Sequence, residues 1–296
     1  MQRIIRIGSR ESRLAVAQAE LIKKQIEKCH PQLQVELVTM KTTGDKIVDR
    51  SLENIGGKGL FVKELDQALA DGIIDLAVHS LKDMPMEQNE EFPILACSER
   101  EDARDVLVYR PGRDTFPGDG VVGTSSRRRA IQMRKLYPQA RFRNIRGNVQ
   151  TRLKKLSEED YDATILAAAG LKRLGMESYI GRIFDTEEMI PAAGQGILAV
   201  QGRKDENAVW LDDIRNQQSE WAALAERQFV RTLDGGCTSP VAAHAKIRGN
   251  EICLRGLYFE EGSEDYFTDS VIGDVEQAQK LGETLAIKMK KESRLI

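Results

Sequence analysis

The chain is short of the features that mark metal-bound, disulfide-stapled and membrane proteins. Its four cysteines, Cys29, Cys97, Cys237 and Cys253, form no CxxC pair, and its three histidines, His30, His79 and His244, make no ligand cluster. Neither a zinc site nor a disulfide framework is indicated. No run approaches the roughly 20 apolar residues that a membrane span needs, and MQRIIRIGSR places charges where a secretory signal would need an apolar core. The expectation is a cytoplasmic protein with no membrane partner. There is no internal repeat and no low-complexity tract.

One further absence is local. Between Gly120 and Ser157 there is no Asp or Glu, while eight arginines and three lysines occur, in a chain whose net charge is only -2. Some anion is met there. The segment has only Tyr137 and Phe142 as aromatics, and the chain as a whole is slightly acidic, so a small polyanion fits better than a nucleic acid.

At 296 residues the chain has room for two or three domains with real cores. Strand-like and helix-like stretches alternate from the start: RIIRIGS, SRLAVAQAELIKKQIEKC, QVELVTM, FVKELDQALADG and IIDLAVHS. This is the pattern of an α/β domain with a largely parallel sheet. After the charged break SEREDARD, a second series (DVLVYR, VVGTSS, RFRNIRG and DATILAAAG, with helices between) predicts a second α/β domain over 99–190. IPAAGQGILAVQ predicts a return to the first domain, so 1–98 and 191–216 form domain 1, and two crossings make a hinge. From 217 to 296 a helix, a cysteine loop, three strand-like runs and a closing helix predict a small α+β domain with a three-stranded antiparallel sheet. Gly249-Asn250 is its hairpin signal.

Three kinds of stretch carry chemistry. GTSSRRRAIQMRKL, at 123–136, sets hydroxyls and unpaired N–H groups at a helix N-terminus, an anion site in form. At most two of Arg127, Arg128 and Arg129 can face one ligand. RFRNIRGNVQTRLKKL repeats the arrangement, with Arg146 at a strand end, Gly147-Asn148 as the turn and Arg152 one turn into a helix. Arginine suits bidentate recognition of carboxylate or phosphate, although a solvated basic surface would read the same way. HSLKDMP places His79, Ser80, Lys82 and Asp83 near the carboxyl end of a strand, where α/β sheets bind ligands. An aspartate there could stabilise a cation or pass a proton, or be a plain turn residue. IGSRESRLA and GGKGLF add Ser9, Arg10, Ser12 and Lys58 as weaker signals.

LDGGCTSPVAAHAK, at 233–246, puts Cys237 behind two glycines and before Thr-Ser-Pro. The preceding helical pattern stops at Gly235, so the thiol would lie past a helix C-terminus, whose partial negative charge disfavours a thiolate. Either this is an inert thiol in a surface turn or it has a role that needs no activated nucleophile.

Taken together and in order, IGSRESRLA, GGKGLFVKELD, DLAVHSLKDMP, GTSSRRR, IRGNVQTRL, AAAGLKRLG, PAAGQGILAV and LDGGCTSPVAAHA resemble the porphobilinogen deaminases, also called hydroxymethylbilane synthases. The resemblance implies two periplasmic-binding-protein-like α/β domains and a small third domain. It implies a transferase of haem biosynthesis that joins four porphobilinogen units into hydroxymethylbilane, with loss of ammonia, on a dipyrromethane cofactor held by a thioether to Cys237. Lys82, Asp83, Ser126, Arg128, Arg129, Arg146 and Arg152 would contact that cofactor, with Asp83 as the catalytic acid and cation stabiliser. Arg10, Ser12, Lys58, Phe61 and Arg173 would bind substrate. No metal is implied, and a monomer without a nucleic-acid partner is expected. The chain departs from the family pattern at Arg127, where an apolar residue is expected between Ser-Ser and Arg-Arg.

Two other function classes compete with this transferase. One is a non-enzymatic sensor of small carboxylates, which would need neither a tethered thiol nor Asp83. The other is an RNA-binding protein using the 127–155 segment, whose affinity would fall steeply with salt.

Overall fold

The structure is a computed structural model that describes residues 4–46, 62–87, 89–206, 208–234, 240–259 and 265–292. In chain order its elements are β1 (Ile4–Arg10), α1 (Arg13–Cys29), β2 (Gln34–Met40), α2 (Thr43–Lys46), α3 (Lys63–Ala70), β3 (Leu76–Ser80), β4 (Ile94–Cys97), β5 (Asp105–Tyr109) and β6 (Val121–Gly123). They continue with α4 (Arg127–Leu136), β7 (Arg141–Arg143), α5 (Val149–Glu158), β8 (Ala163–Ala167), α6 (Ala168–Arg173), β9 (Arg182–Ile183) and β10 (Leu198–Gly202). The last are α7 (Gln217–Thr232), β11 (Ala242–Arg248), β12 (Glu251–Tyr258), β13 (Phe267–Asp274) and α8 (Ala278–Glu292).

Two compact units result, Met1–Glu101 with Ile197–Glu220, and Asp102–Gly196 with Trp221–Ile296. The first holds a five-stranded sheet of order β2-β1-β3-β10-β4. β1 runs parallel to β2 and β3, whereas β10 is antiparallel to both of its neighbours. Period-two alternation sorts its side chains: Leu76 and Val78 join Ile5, Ile7, Ile22 and Ile26 under α1, while Ala77 faces Leu65 and Leu69 of α3. Both faces are therefore buried, and the strands read as apolar runs.

The second unit holds a sheet of order β7-β6-β8-β5-β9 and the antiparallel sheet β11-β12-β13. β6 is parallel to β7 and β8, and β5 is antiparallel to β8. Val106 and Leu166 pack with Leu156 and Leu171 on one face, Leu107 and Ile165 with Met133 and Phe184 on the other. β11 and β12 meet across the two-residue turn Gly249-Asn250, with Arg248 opposite Glu251 and Gly249 at φ 59.

Two boundaries differ from the sequence expectation. The return to the first unit falls at Ile197, not 191, because the intervening turn is bonded to the second unit: Gln195 Nε2 donates to Ala103 O at 2.6 Å and Gly194 N to Glu226 Oε2 at 2.7 Å. α7 ends before Gly235, on the left-handed Asp234 (φ 55), a conformation that aspartate tolerates better than most residues.

The α7–α8 contact depends on one glycine. A methyl group on buried Gly282 would overlap the carbonyl oxygen of Ala225, a backbone atom that cannot swing away. Gly282→Ala should lower the unfolding free energy by about 1–3 kcal/mol. Denaturant titration checks this, and an unchanged midpoint would mean that the two helices can separate at little cost.

Candidate functional site

In the first unit the parallel strands β1, β2 and β3 end together, at Arg10, Met40 and Ser80. Ser12 caps α1 by accepting from Ala15 N at 3.3 Å. Beyond β3, Leu81–Asp83 makes a single tight turn fixed by the buried side chains of Leu81 and Met84. Those two anchors leave Lys82 half-buried and Asp83 exposed. The Gln18 amide donates to Ser80 Oγ at 2.9 Å. Arg10 closes β1 and Asp83 follows the neighbouring β3, so the two residues share this edge of the sheet.

In the second unit the same kind of edge is built around Asp105. β5 starts beside the end of β8, with Asp105 opposite Ala167, and the Asp105 carboxylate is fully buried there. Ser126 caps α4, accepting from Arg129 N at 3.4 Å, so the first turn of the helix aims Arg128 and Arg129 inward. Arg128 Nη1 donates to Asp105 Oδ2 at 2.6 Å, and Arg129 Nη2 and Nε donate to Oδ1 at 2.7 and 3.1 Å. Gln195 Nε2 adds a third donor to Oδ1 at 3.0 Å. Burial alone would push the Asp105 pKa up, but the two guanidiniums outweigh it and hold the carboxyl far below the usual carboxylate range. Arg128 is itself pulled below the ordinary arginine value, by burial first, with Asp105 opposing. Two cations on one anion leave this buried cluster with a net positive charge, while Arg127 is exposed.

The loops after β6 and β7 are laced together. Thr124 N donates to Arg143 O at 2.9 Å, and Ser125 Oγ to Ile145 O at 3.0 Å. Ile145 is fully buried and fixes the backbone just before the half-buried Arg146. Gly147 takes φ 113 with Thr151 Cγ2 only 2.5 Å from where a Cβ would lie, so no side chain fits between Arg146 and the helix. Asn148 caps α5, and Arg152 Nε donates back to Gly147 O at 2.9 Å. Arg173, the last residue of α6, donates to Gly196 O at 2.5 Å.

Of the residues singled out in the sequence, Arg10, Ser12, Lys82 and Asp83 thus stand on the first unit. Ser126, Arg128, Arg129, Arg146, Arg152 and Arg173 stand on the second. Lys58, Phe61 and Cys237 lie outside the described residues. Sequence reading missed Asp105, Gln195 and Gln132, the last binding Ile190 N at 2.7 Å beside Arg128. The available signal was an acid directly opening an apolar strand after the SEREDAR run, in the stretch Asp105-Val106-Leu107-Val108.

Replacing Asp105 by Asn strands two buried arginines, so Asp105→Asn should cost about 3–5 kcal/mol of stability at pH 7. A carboxyl with a depressed folded pKa contributes fully above its unfolded value of 3.8 and loses that contribution as pH falls below it. The gap between wild type and variant in denaturant melts should therefore hold from pH 7 to about pH 5 and narrow below pH 4. A gap independent of pH down to 3 would mean that ion pairing is not its origin.

Comparison with known proteins matches nearly the whole chain. Residues 5–210 match the family described as porphobilinogen deaminase, dipyromethane cofactor binding domain, and residues 221–291 match porphobilinogen deaminase, C-terminal domain. The porphobilinogen deaminase of Acetivibrio thermocellus is 51% identical over 287 residues, covering 97% of this chain and 98% of that one. That of Ruminiclostridium cellulolyticum is 48% identical over 291 residues, covering 98% and 99%. Among solved structures, the methionine-binding protein MetQ is similar at a TM-score of 0.43 and 12% identity, covering 76% of this chain and 91% of that one. With both domains matched and half of all positions identical, the chain belongs to the porphobilinogen deaminase family, whose members polymerise porphobilinogen into hydroxymethylbilane.

Proposed function

We infer that this chain joins four porphobilinogen molecules head to tail into hydroxymethylbilane, releasing one ammonia at each joint. The observation that carries this reading is the match to the family along nearly the whole chain, at 51% identity over 97% of its length. The residue roles are our own assignment, supported by where the side chains stand.

Porphobilinogen brings one acetate and one propionate per ring, so a lengthening chain gathers carboxylates that accept hydrogen bonds and cannot donate them. A set of donors is the fitting partner. Arg128 spends only Nη1 on Asp105 and Ile190 O, and among the described residues its Nη2 has no partner. The Ser126 hydroxyl accepts from the helix backbone and retains its own proton to donate. Together with the net positive charge of the Asp105 cluster, these groups fit a dipyrromethane bearing carboxylates. Arg146 and Arg152, on the adjoining loop and helix, extend the same donor surface. Arg10, Ser12, Lys58, Phe61 and Arg173 are assigned to substrate binding.

The dipyrromethane, tethered through Cys237, supplies the pyrrole carbon from which the chain grows. For that tether Cys237 need not be an acidic thiol, because it is alkylated once. Asp83 is assigned the acid role: exposed at the end of β3, it can reach the aminomethyl group of an arriving substrate and offset the positive charge left when ammonia departs. Lys82, held on the same turn, is assigned to cofactor contact. The reading includes a cytoplasmic monomer with no polynucleotide or membrane partner. The composition is slightly acidic, and among the described residues no helix is long and apolar enough to cross a membrane.

Intact mass of the denatured protein should show a covalent excess equal to two linked pyrroles, absent in Cys237→Ser. A wild-type protein that stays unmodified after addition of porphobilinogen would favour a carboxylate sensor. Asp83→Asn should keep that mass excess while turnover falls by a factor of about 100 or more; near-normal turnover would remove Asp83 from the chemistry. Arg146→Leu should remain folded and lose about 10- to 100-fold in cofactor assembly or elongation, the worth of one charge-assisted hydrogen bond. Normal assembly and elongation would refute its carboxylate role.

A further inference from the structure

The sheet β11-β12-β13 has one face against the last two helices: side chains placed at Gly256 and Gly273 would run into Phe229 of α7 and Leu281 of α8. Alternation turns Cys253 and Arg255 of β12 to the other face. There the register sets His244 opposite Arg255, Arg255 opposite Ser270, and Lys246 opposite Cys253. With Thr186 and Glu187, from the segment that follows β9, these side chains line a cavity of about 140 Å³. An engineered cavity of about 150 Å³ in another protein accepts benzene, so there is room for a small molecule. Thr186 and His244 are buried and make the floor, whereas Glu187, Lys246 and Ser270 are exposed and make the rim.

Glu187 shows what the rim can hold. Its carboxylate accepts from Lys246 Nζ at 3.2 Å through Oε1 and from Arg255 Nη1 through Oε2. Each cation has further N–H donors to give. Among them, Arg255 Nε is buried and has no hydrogen-bond partner. The same holds for His244 Nδ1: Glu226 Oε1 lies 3.6 Å away, beyond hydrogen-bond reach, and accepts instead from Ala245 N at 2.7 Å. Buried polar atoms are nearly always paired, so two orphaned nitrogens on residues lining one cavity call for an occupant. Leaving the ring aside, the lining carries two cations and one carboxylate. The carboxylates just outside it are held elsewhere, Glu226 by the backbone N–H groups of Gly194 and Ala245, and Asp185 by that of Glu187 at 2.9 Å.

We propose that this cavity binds a small oxyanion of phosphate or carboxylate type, held by Arg255, Lys246 and Ser270, with Glu187 as its internal competitor. An oxyanion offers acceptors, which is what unmet N–H donors require. The Ser270 hydroxyl supplies a further donor at the rim. Neutralising Glu187 leaves both cations to the ligand, and at an effective dielectric near 20 that is worth about tenfold or more in affinity. The site uses none of the residues assigned to porphobilinogen chemistry.

Cys253, half-buried in the lining, is a built-in reporter. Its alkylation by iodoacetamide can be followed by peptide mapping of the holoenzyme as inorganic phosphate or acetate is raised at constant ionic strength, with the exposed Cys29 as control. Phosphate or acetate should slow Cys253 saturably and leave Cys29 unaffected, and the anion that acts at the lower concentration identifies the ligand type. Glu187→Gln should lower the half-protecting concentration about tenfold, and Arg255→Gln or Lys246→Gln should raise it by a similar factor. Lys246 is exposed, so its variant decides the matter if Arg255→Gln does not fold. The His244 ring signals of 15N-histidine-labelled protein should move over the same concentrations, a titration that does not depend on the thiol's reactivity. No saturable change with either anion, in wild type and in Glu187→Gln, would overturn the site and leave water as the cavity's occupant. Equal protection of both cysteines, or protection unaltered in both cation variants, would overturn it as well. Weaker binding in Glu187→Gln would end that residue's role as competitor.

Discussion

A carboxylate shut away from water organises the arginine-rich α/β sheet of this protein. Asp105 has no access to solvent and is ionised only because Arg128, Arg129 and Gln195 supply donors to its two oxygens. Such a cluster adds little net stability compared with an apolar core of the same volume, but it is unforgiving, because each member is expensive without the others. Its more useful property is geometric. Arg129 is anchored at Asp105 and at Ile165 O, Arg128 at Asp105 and at Ile190 O, so both guanidiniums are fixed before any ligand arrives. A binding site built from fixed charges loses little side-chain entropy on meeting its ligand, whereas flexible surface arginines would each have to be ordered.

The two α/β sheets solve the same problem with different residues. Each brings its functional side chains to the end where its parallel strands stop, and each uses a serine there to cap the following helix, Ser12 in one unit and Ser126 in the other. The first edge presents an exposed acid on the turn that follows a strand bearing a buried histidine. The second presents cations around a buried acid. An exposed acid and a set of buried cations are thus held in separate local environments, each shaped by what it buries.

Much of this was legible in the chain itself, where the signal was local. Alternating apolar periods gave the two α/β series, Gly249-Asn250 gave its hairpin, and Gly-Thr-Ser-Ser and Arg-Gly-Asn gave the strand-to-helix turns that carry the arginines. Pairings made at long range were not legible. Asp105 lies in a run of charges that reads as a linker, and its partners come 23, 24 and 90 residues later. That two of three consecutive arginines would turn inward follows from helix geometry, but toward what does not. His79 was visible as a residue near a strand end. Its hydrogen-bond partner Gln201 looks in the sequence like an ordinary polar residue in an apolar strand. The antiparallel sense of β10 was hidden too, since an apolar run bounded by glycines gives no direction.

That strand has a further consequence, for the order in which the protein can be made. β10 lies between β3 and β4 in the first sheet, and it pairs Leu198 with Ser80 and Ala199 with Cys97. A ribosome delivers residues 102–196 before it delivers β10, so the second α/β sheet has all of its strands while the first still has a gap between β3 and β4. Closing that gap requires contacts more than a hundred residues apart, the kind that slow folding most. The strands synthesised first therefore belong to a sheet that is completed late. Until then β3 and β4 expose open edges, and the histidine of β3 lacks its hydrogen-bond partner on β10.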